Sequence, residues 1–231
     1  MMKTIGLIGG MSWQSSKFYY EYLNQIVAER LGGSHSARIL MSSVDFSEIE
    51  KLSFEGDWDA IGQLMAKEAR RLETGGSDVV ILGTNTIHLV AEYINRAISV
   101  PFLHIATATG TAISERKLKK VGLLGTQFTM EKDFYTKILT EDFNLEVLVP
   151  SPEERVYLQD LIYGQLVKGV FTNEAKERCL KIIGNLKKEG AEGVILGCTE
   201  LPILIPGAEV AIPTFDTTML HSKAAVDFAM R

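Results

Sequence analysis

Val80-Ile81-Leu82-Gly83-Thr84-Asn85-Thr86 is nearly repeated later in the chain by Val194-Ile195-Leu196-Gly197-Cys198-Thr199-Glu200. Each segment is an apolar run that stops at a glycine and opens into small polar residues. Each follows a helix-stop glycine at the same offset, Gly76 for the first and Gly190 for the second. A second echo lies upstream, where Lys3-Thr4-Ile5-Gly6-Leu7-Ile8-Gly9 is matched by Lys119-Lys120-Val121-Gly122-Leu123-Leu124-Gly125. The chain therefore reads as two related halves. The repeat sets Thr84 and Cys198 in equivalent places, and substrate is expected between those two strand ends.

Working outward, strand and helix patterns alternate along the whole chain. Apolar runs at residues 4–9, 38–44, 78–83, 100–104, 121–124, 145–149, 193–196 and 211–215 read as strands. They are continuous rather than alternating, as in parallel sheet covered on both faces. Helices are predicted near 16–31, 57–74, 87–98, 106–117, 130–141, 153–168 and 173–188, with a short one from Thr199 and a last one after Asp216. Residues 45–56 read as a polar loop or short helix. Asp57 is a capping candidate before Ile61, Leu64, Met65, Ala69 and Leu72, which have helical spacing. This pattern predicts an α/β fold of two pseudo-symmetric doubly wound parallel-sheet domains. The first takes residues 1–100 plus 209–231, and the second takes 101–208. Ligands of such sheets bind outside the carboxyl ends of the strands.

Composition narrows the function. A net charge of −5 and a pI near 5.5 argue against a nucleic-acid surface, and Lys117, Lys119 and Lys120 read as a solvated helix end. The two cysteines, Cys179 and Cys198, are too few for a disulfide framework and suggest a reducing compartment. Met1-Met2-Lys3-Thr4-Ile5 leads directly into a strand pattern, and no apolar run is long enough to span a membrane. A cytoplasmic protein with no membrane partner is expected.

Cys198 is the first candidate for chemistry. At a strand end leading into a helix, its thiol would face a positive helix terminus, which lowers a thiol pKa toward neutral. Buried structural packing is the competing reading, and it is the preferred one for Cys179 in mid-helix. Thr84 holds the mirrored place, but a hydroxyl is a poor acid or base unless activated. Asn85, Thr86 and Thr199 suit a carboxylate or a developing oxyanion, together with helix-start N–H groups; helix capping is their alternative role. Gly9-Gly10-Met11-Ser12 lacks the third glycine of a dinucleotide fingerprint and better fits a small anion. His35, His88, His104 and His221 show no metal-ligand spacing, so no metal is expected, and His88 and His104 read first as structural. Lys168 ends a helix pattern, where a cation is favoured, and is a candidate for a substrate carboxylate. Glu200 is a candidate for helix capping or for a substrate ammonium.

As a set, Gly9-Gly10-Met11-Ser12, Thr84-Asn85-Thr86 with His88, Leu123-Leu124-Gly125-Thr126, Gly197-Cys198-Thr199-Glu200 and Phe215-Asp216-Thr217 resemble the aspartate/glutamate racemase family over essentially the whole chain. The resemblance implies two Rossmann-like domains with the active site between them. It implies two cysteines facing opposite sides of the substrate α-carbon, one removing the proton while the other returns it, with no cofactor, and a homodimer. Carried over by position, the second catalytic cysteine is Cys198. The first falls on Thr84, a departure from the usual Cys-Asn-Thr and similar to a threonine branch typified by the L-aspartate/glutamate-specific racemase of enterobacteria. Trp13 and Asp45-Phe46 look like that branch. Glu48 and Glu50 stand where many aspartate-specific members carry an arginine. Lys168 matches a lysine that contacts the side-chain carboxylate. Met11, Ser12, Asn85, Thr86, Thr126, Lys168, Thr199 and Glu200 are thus the expected substrate-binding set for an acidic amino acid.

Two alternatives stand beside racemisation. A decarboxylase or isomerase of the same superfamily would use the single cysteine to protonate a carbanion. A non-catalytic small-anion binding protein would be stabilised by ligand whether or not Cys198 were present.

Overall fold

The computed structural model describes residues 2–231, so Met1, where the expected N-terminal strand approach begins, lies outside the described residues. The chain divides into two compact units. The first comprises the residues up to Ile105 together with Thr218–Arg231, and the second is Ala106–Thr217.

In the first unit β1 (Ile5–Gly9), β2 (Ile39–Ser43), β3 (Val79–Leu82) and the two-residue β4 (Phe102–Leu103) form a parallel sheet of order β2-β1-β3-β4. Side chains alternate across a strand, and the sheet is covered on both faces accordingly. Ile8, Val80 and Leu82 pack with Ile49 of α2 (Phe46–Glu55), with Ile61, Met65 and Leu72 of α3 (Trp58–Thr74), and with Ile94 of α4 (Ala91–Ala97). Ile5, Leu7, Val79 and Ile81 pack on the other side with Tyr19, Leu23 and Val27 of α1 (Trp13–Leu31).

In the second unit β5 (Lys120–Leu124), β6 (Glu146–Leu148), β7 (Gly193–Leu196) and β8 (Thr214–Asp216) form a parallel sheet of order β6-β5-β7-β8. Its helices are α5 (Ile105–Glu115), whose first residue belongs to the first unit, α6 (Gln127–Glu131), α7 (Asp133–Glu141), α8 (Pro152–Gly164), α9 (Asn173–Lys188) and α10 (Leu201–Leu204). The last helix, α11 (Thr217–Ala229), carries the chain back to the first unit, where Ala225, Val226 and Ala229 join the α1 side of the core.

The internal repeat extends to hydrogen bonds. An Asp78 carboxylate oxygen accepts from the Thr4 N–H at 2.6 Å, ahead of β1. Glu192 does the same for Lys119 and Lys120 at 2.6 and 3.0 Å, and these N–H groups hold its carboxyl below the usual range. Ser12 caps α1 by accepting from the Ser15 N–H, and Thr126 caps α6 by accepting from that of Thr129. The Gly83 N–H donates to Ile8 and the Gly197 N–H to Leu124, which closes each sheet at the same place. A Cβ at Gly197 would lie 2.8 Å from the Leu124 carbonyl oxygen, so only glycine permits this approach.

Several boundaries differ from the sequence reading. The units divide after Ile105 and Thr217 rather than at 100 and 208. The cause is that β4 pairs with β3 and β8 pairs with β7, so each short strand stays with its own sheet. Residues 46–55 take the helical one of the two expected alternatives, because Asp45 accepts from the Ser47 N–H at the start and Gly56 takes the left-handed conformation at the end. The helix expected over 87–98 opens as a 3₁₀ turn, Thr86–Val90, before α4. The one expected over 130–141 breaks at the extended Lys132 into α6 and α7.

Candidate active site

In each sheet the strand order reverses beside the central strand. The switch point lies between β1 and β3 in the first unit and between β5 and β7 in the second. Ligands of open α/β sheets bind in the crevice at the carboxyl ends of those strands. The residues there are Gly9-Gly10-Met11-Ser12 and Gly83-Thr84-Asn85-Thr86 in the first unit, and Gly125-Thr126 and Gly197-Cys198-Thr199-Glu200 in the second.

In the first unit Ser16 binds the loop after β1. Its hydroxyl accepts from the Gly10 N–H at 2.7 Å and donates to the Ser12 carbonyl at 3.1 Å. Gly10 has φ +96°, and a Cβ there would meet the Val44 carbonyl at 2.3 Å. Met11 and Ser12 are buried. Thr84 is half-buried, while Asn85 and Thr86 are buried at the start of the 3₁₀ turn. Asn85 makes no capping bond through its side chain. His88, on the same turn, meets the Thr84 carbonyl through Nδ1 at 2.7 Å, and its Nε2 accepts from the Ile105 N–H at 3.2 Å. The Ile105 bond requires an unprotonated Nε2, so the proton is on Nδ1 and donates to Thr84.

Around His88 lies a group of rings that the sequence does not reveal. Ring centroids of His88 and His104 are 4.4 Å apart, and those of His88 and His221 are 5.8 Å apart. His221 meets the Leu103 carbonyl through Nε2 at 2.8 Å, and its Nδ1 pairs with the Tyr19 hydroxyl at 3.0 Å. Burial first, then the neighbouring imidazoles, lowers His88 well below its ordinary value. Burial, with His221 alongside, takes His104 down to about 3. Burial takes His221 down to about 4. All three are neutral at physiological pH.

In the second unit the Cys198 thiol is 8% exposed and donates to Glu200 Oε2 at 3.0 Å. The Thr199 hydroxyl donates to the same oxygen at 2.8 Å. Contrary to the expected depression, Cys198 is raised well above the ordinary thiol value. Burial is the largest cause, and the adjacent Glu200 carboxylate adds to it. The following helix α10 has only four residues, so its dipole is too small to win. Backbone N–H groups of Glu200 and Leu201 pull the other way and are placed to receive a thiolate. Glu200 therefore faces the thiol instead of capping α10.

Thr126 is buried and caps α6. Lys168 is exposed on a 3₁₀ turn after α8. Cys179 is fully buried in α9, where burial pushes its thiol up to about 12, in keeping with packing. No helix among the described residues is long and apolar enough to cross a membrane.

Two doubly wound sheets of the same strand order, each with polar residues at its switch point and one with a buried thiol on a carboxylate, define a duplicated α/β enzyme scaffold. The chain belongs to the Asp/Glu/hydantoin racemase family, which it matches over residues 8–225, and is an isomerase of the racemase class. It is similar over its full length, and that of the other chain, to a candidate Asp/Glu racemase from Yersinia pestis (43% identity, TM-score 0.93). The same full coverage holds for an aspartate racemase homologue from Pyrococcus horikoshii OT3 (35%, TM-score 0.87). The broad specificity amino-acid racemase RacX of Bacillus subtilis is 28% identical over 173 residues, 74% of this chain and 73% of RacX. Against the glutamate racemases of Streptococcus uberis and Herpetosiphon aurantiacus the chain spans 58% and 56% of their length.

Proposed function

We propose that the protein racemises an acidic amino acid, aspartate or glutamate, by cofactor-independent removal and return of the α-proton. The observation that carries this reading is the Cys198 thiol, buried at a switch-point strand end on the Glu200 carboxylate, with Thr84 in the equivalent place of the repeat. An α-proton is weakly acidic, so its removal needs a strong local base and a stabilised carboxylate. Cys198 rests as a thiol. Passing its proton to Glu200 leaves a thiolate beside the Glu200 and Leu201 N–H groups. The sulfur then takes the α-proton. The α-carbon receives a proton from the Thr84 hydroxyl, or from water it positions; Glu200 releases its proton to solvent, and solvent restores the hydroxyl. Because a hydroxyl is a weaker acid than a thiol, kcat differs between the two directions and KM differs in proportion, since the free enantiomers are equally stable and kcat/KM is equal both ways.

Asn85, Thr86, Thr199, Met11, Ser12 and Thr126 serve the substrate's polar groups in this reading, and Lys168 serves its side-chain carboxylate. The threonine branch rests on Thr84 itself, which stands where the family's first cysteine is expected. A cytoplasmic homodimer acting without nucleic acid or membrane completes the proposal.

The test is chiral chromatography after incubation with single enantiomers of aspartate, glutamate, asparagine, lysine and alanine. Aspartate or glutamate is expected to invert at least about tenfold faster than the others, a modest discrimination for a site that recognises a side-chain carboxylate. Inversion of lysine or alanine without that of either acid would overturn the acidic substrate class.

A further inference from the structure

His88 is not part of the internal repeat. The Thr84-Asn85-Thr86-Ile87-His88 segment aligns with Cys198-Thr199-Glu200-Leu201-Pro202, so the second unit has a proline where the first has an imidazole. There the Cys198 carbonyl is met by the Leu201 N–H at 3.1 Å, a local bond within one turn. The Thr84 carbonyl is instead held by a side chain that reaches elsewhere.

We propose that His88 is a positioning residue for Thr84, tying the Thr84 peptide to the backbone at the point where the chain leaves the first unit. The bond to Thr84 is short, at 2.7 Å, and the second ring nitrogen is fixed on Ile105, the last residue before the crossing to Ala106. The ring is 1% exposed and packs on Phe102 and His104, so it has little freedom to turn. His221 holds the Leu103 carbonyl in the same way, and it lies three residues after Thr218, where the chain re-enters this unit. Two backbone groups bonded to this cluster, Leu103 and Ile105, thus both lie just before the first passage, and His221 lies just after the second. Only a neutral His88 can donate to Thr84 while accepting from Ile105. The groups facing it are His104, His221 and Phe102, with Tyr19 behind His221, none of them charged when the cluster is neutral.

This inference rests on the racemase reading for its catalytic consequence, and that consequence is one-sided. Loss of His88 should loosen Thr84 and leave Cys198 untouched. In His88→Leu, exchange of the α-proton of the enantiomer attacked by Cys198 should stay within about threefold of wild type in D₂O, while inversion falls about tenfold or more. His88→Asn keeps a donor near the Nδ1 position and should recover inversion to within about threefold. Amide hydrogen exchange of full-length protein gives a readout independent of activity. Amides of Thr84–Ile87 should exchange faster in His88→Leu, while those of β3 keep their protection.

Exchange and inversion falling together, or neither falling, would overturn the positioning role. If the wild type exchanges none of the four aspartate and glutamate enantiomers, it is the racemase reading that fails. Amide exchange then decides the positioning role by itself, and unchanged protection at Thr84–Ile87 overturns it.

Discussion

Replacing Cys198 by alanine is expected to lower racemisation by at least about 10³-fold, the scale of losing a reacting acid/base group. The fold should survive. Cys198 is small, sits at a strand end, and loses one sulfur atom, a change worth about 1 kcal/mol of packing. Cys198→Ser should be similarly inactive, because a hydroxyl in the same buried place is a far weaker acid than a thiol. Glu200→Gln separates the proposed roles. Removing the carboxylate takes away one of the causes that hold the thiol up, so Cys198 should titrate at lower pH. It also removes the proton acceptor, so turnover should fall although the thiolate forms more readily. Alkylation of Cys198 across pH, set beside kcat for the same proteins, checks both. A Cys198→Ala protein retaining activity within tenfold of wild type would remove the thiol from the mechanism.

The second large effect is on stability. His88, His104 and His221 are neutral in the folded protein and take protons near pH 6.5 when unfolded. Below that pH the unfolded chain binds more protons than the folded one, so stability falls as pH falls. The loss begins near pH 6.5 and continues until the folded-state values, about 3 for His104 and about 4 for His221, are reached. One pKa unit corresponds to about 1.4 kcal/mol, so two units below 6.5 the loss from His104 and His221 alone is on the order of 5 kcal/mol, and His88 adds to it. That is comparable to the whole stability of many domains. Thermal unfolding from pH 7 to pH 4.5 should show a steep fall in Tm. The part between pH 6.5 and 5, where exposed carboxylates scarcely titrate, should flatten in His104→Phe. A Tm constant over that window in the unmodified protein would contradict a buried neutral cluster.

The sheets were legible because parallel strands covered on both faces must be continuous apolar runs. Ile5–Gly9, Val79–Leu82, Lys120–Leu124 and Gly193–Leu196 each end at or beside a glycine that closes the strand. Helix α9 was legible for a similar local reason. Thr172 caps it by accepting from the Ala175 N–H, and Gly190 takes a positive φ two residues after its end. Breaks at Lys132 and in the Thr86–Val90 turn leave no such mark in local propensity.

The candidate site was legible in position and less so in chemistry. Thr84 and Cys198 could be set in register by the repeat alone. The sign of the Cys198 shift could not, because it depends on burial and on where the Glu200 side chain points. A hint was present, since Cys198 and Glu200 are two apart at a strand end and could share a face. The histidine cluster joins positions 88, 104 and 221, with Tyr19 at the far end of the chain, and no spacing rule connects them. Lys168, singled out by resemblance, lies on an exposed turn, and its role rests on substrate assays of Lys168→Ala.

The most direct measurement is α-proton exchange in D₂O followed by NMR, with L- and D-aspartate and L- and D-glutamate and the unmodified protein. Deuterium should enter the α-position of at least one acid, accompanied by inversion, and faster from the enantiomer whose proton faces Cys198. Exchange with no inversion would leave Cys198 as a base and remove Thr84 from the return step. No exchange with any of the four would contradict the account of this protein as an acidic amino-acid racemase.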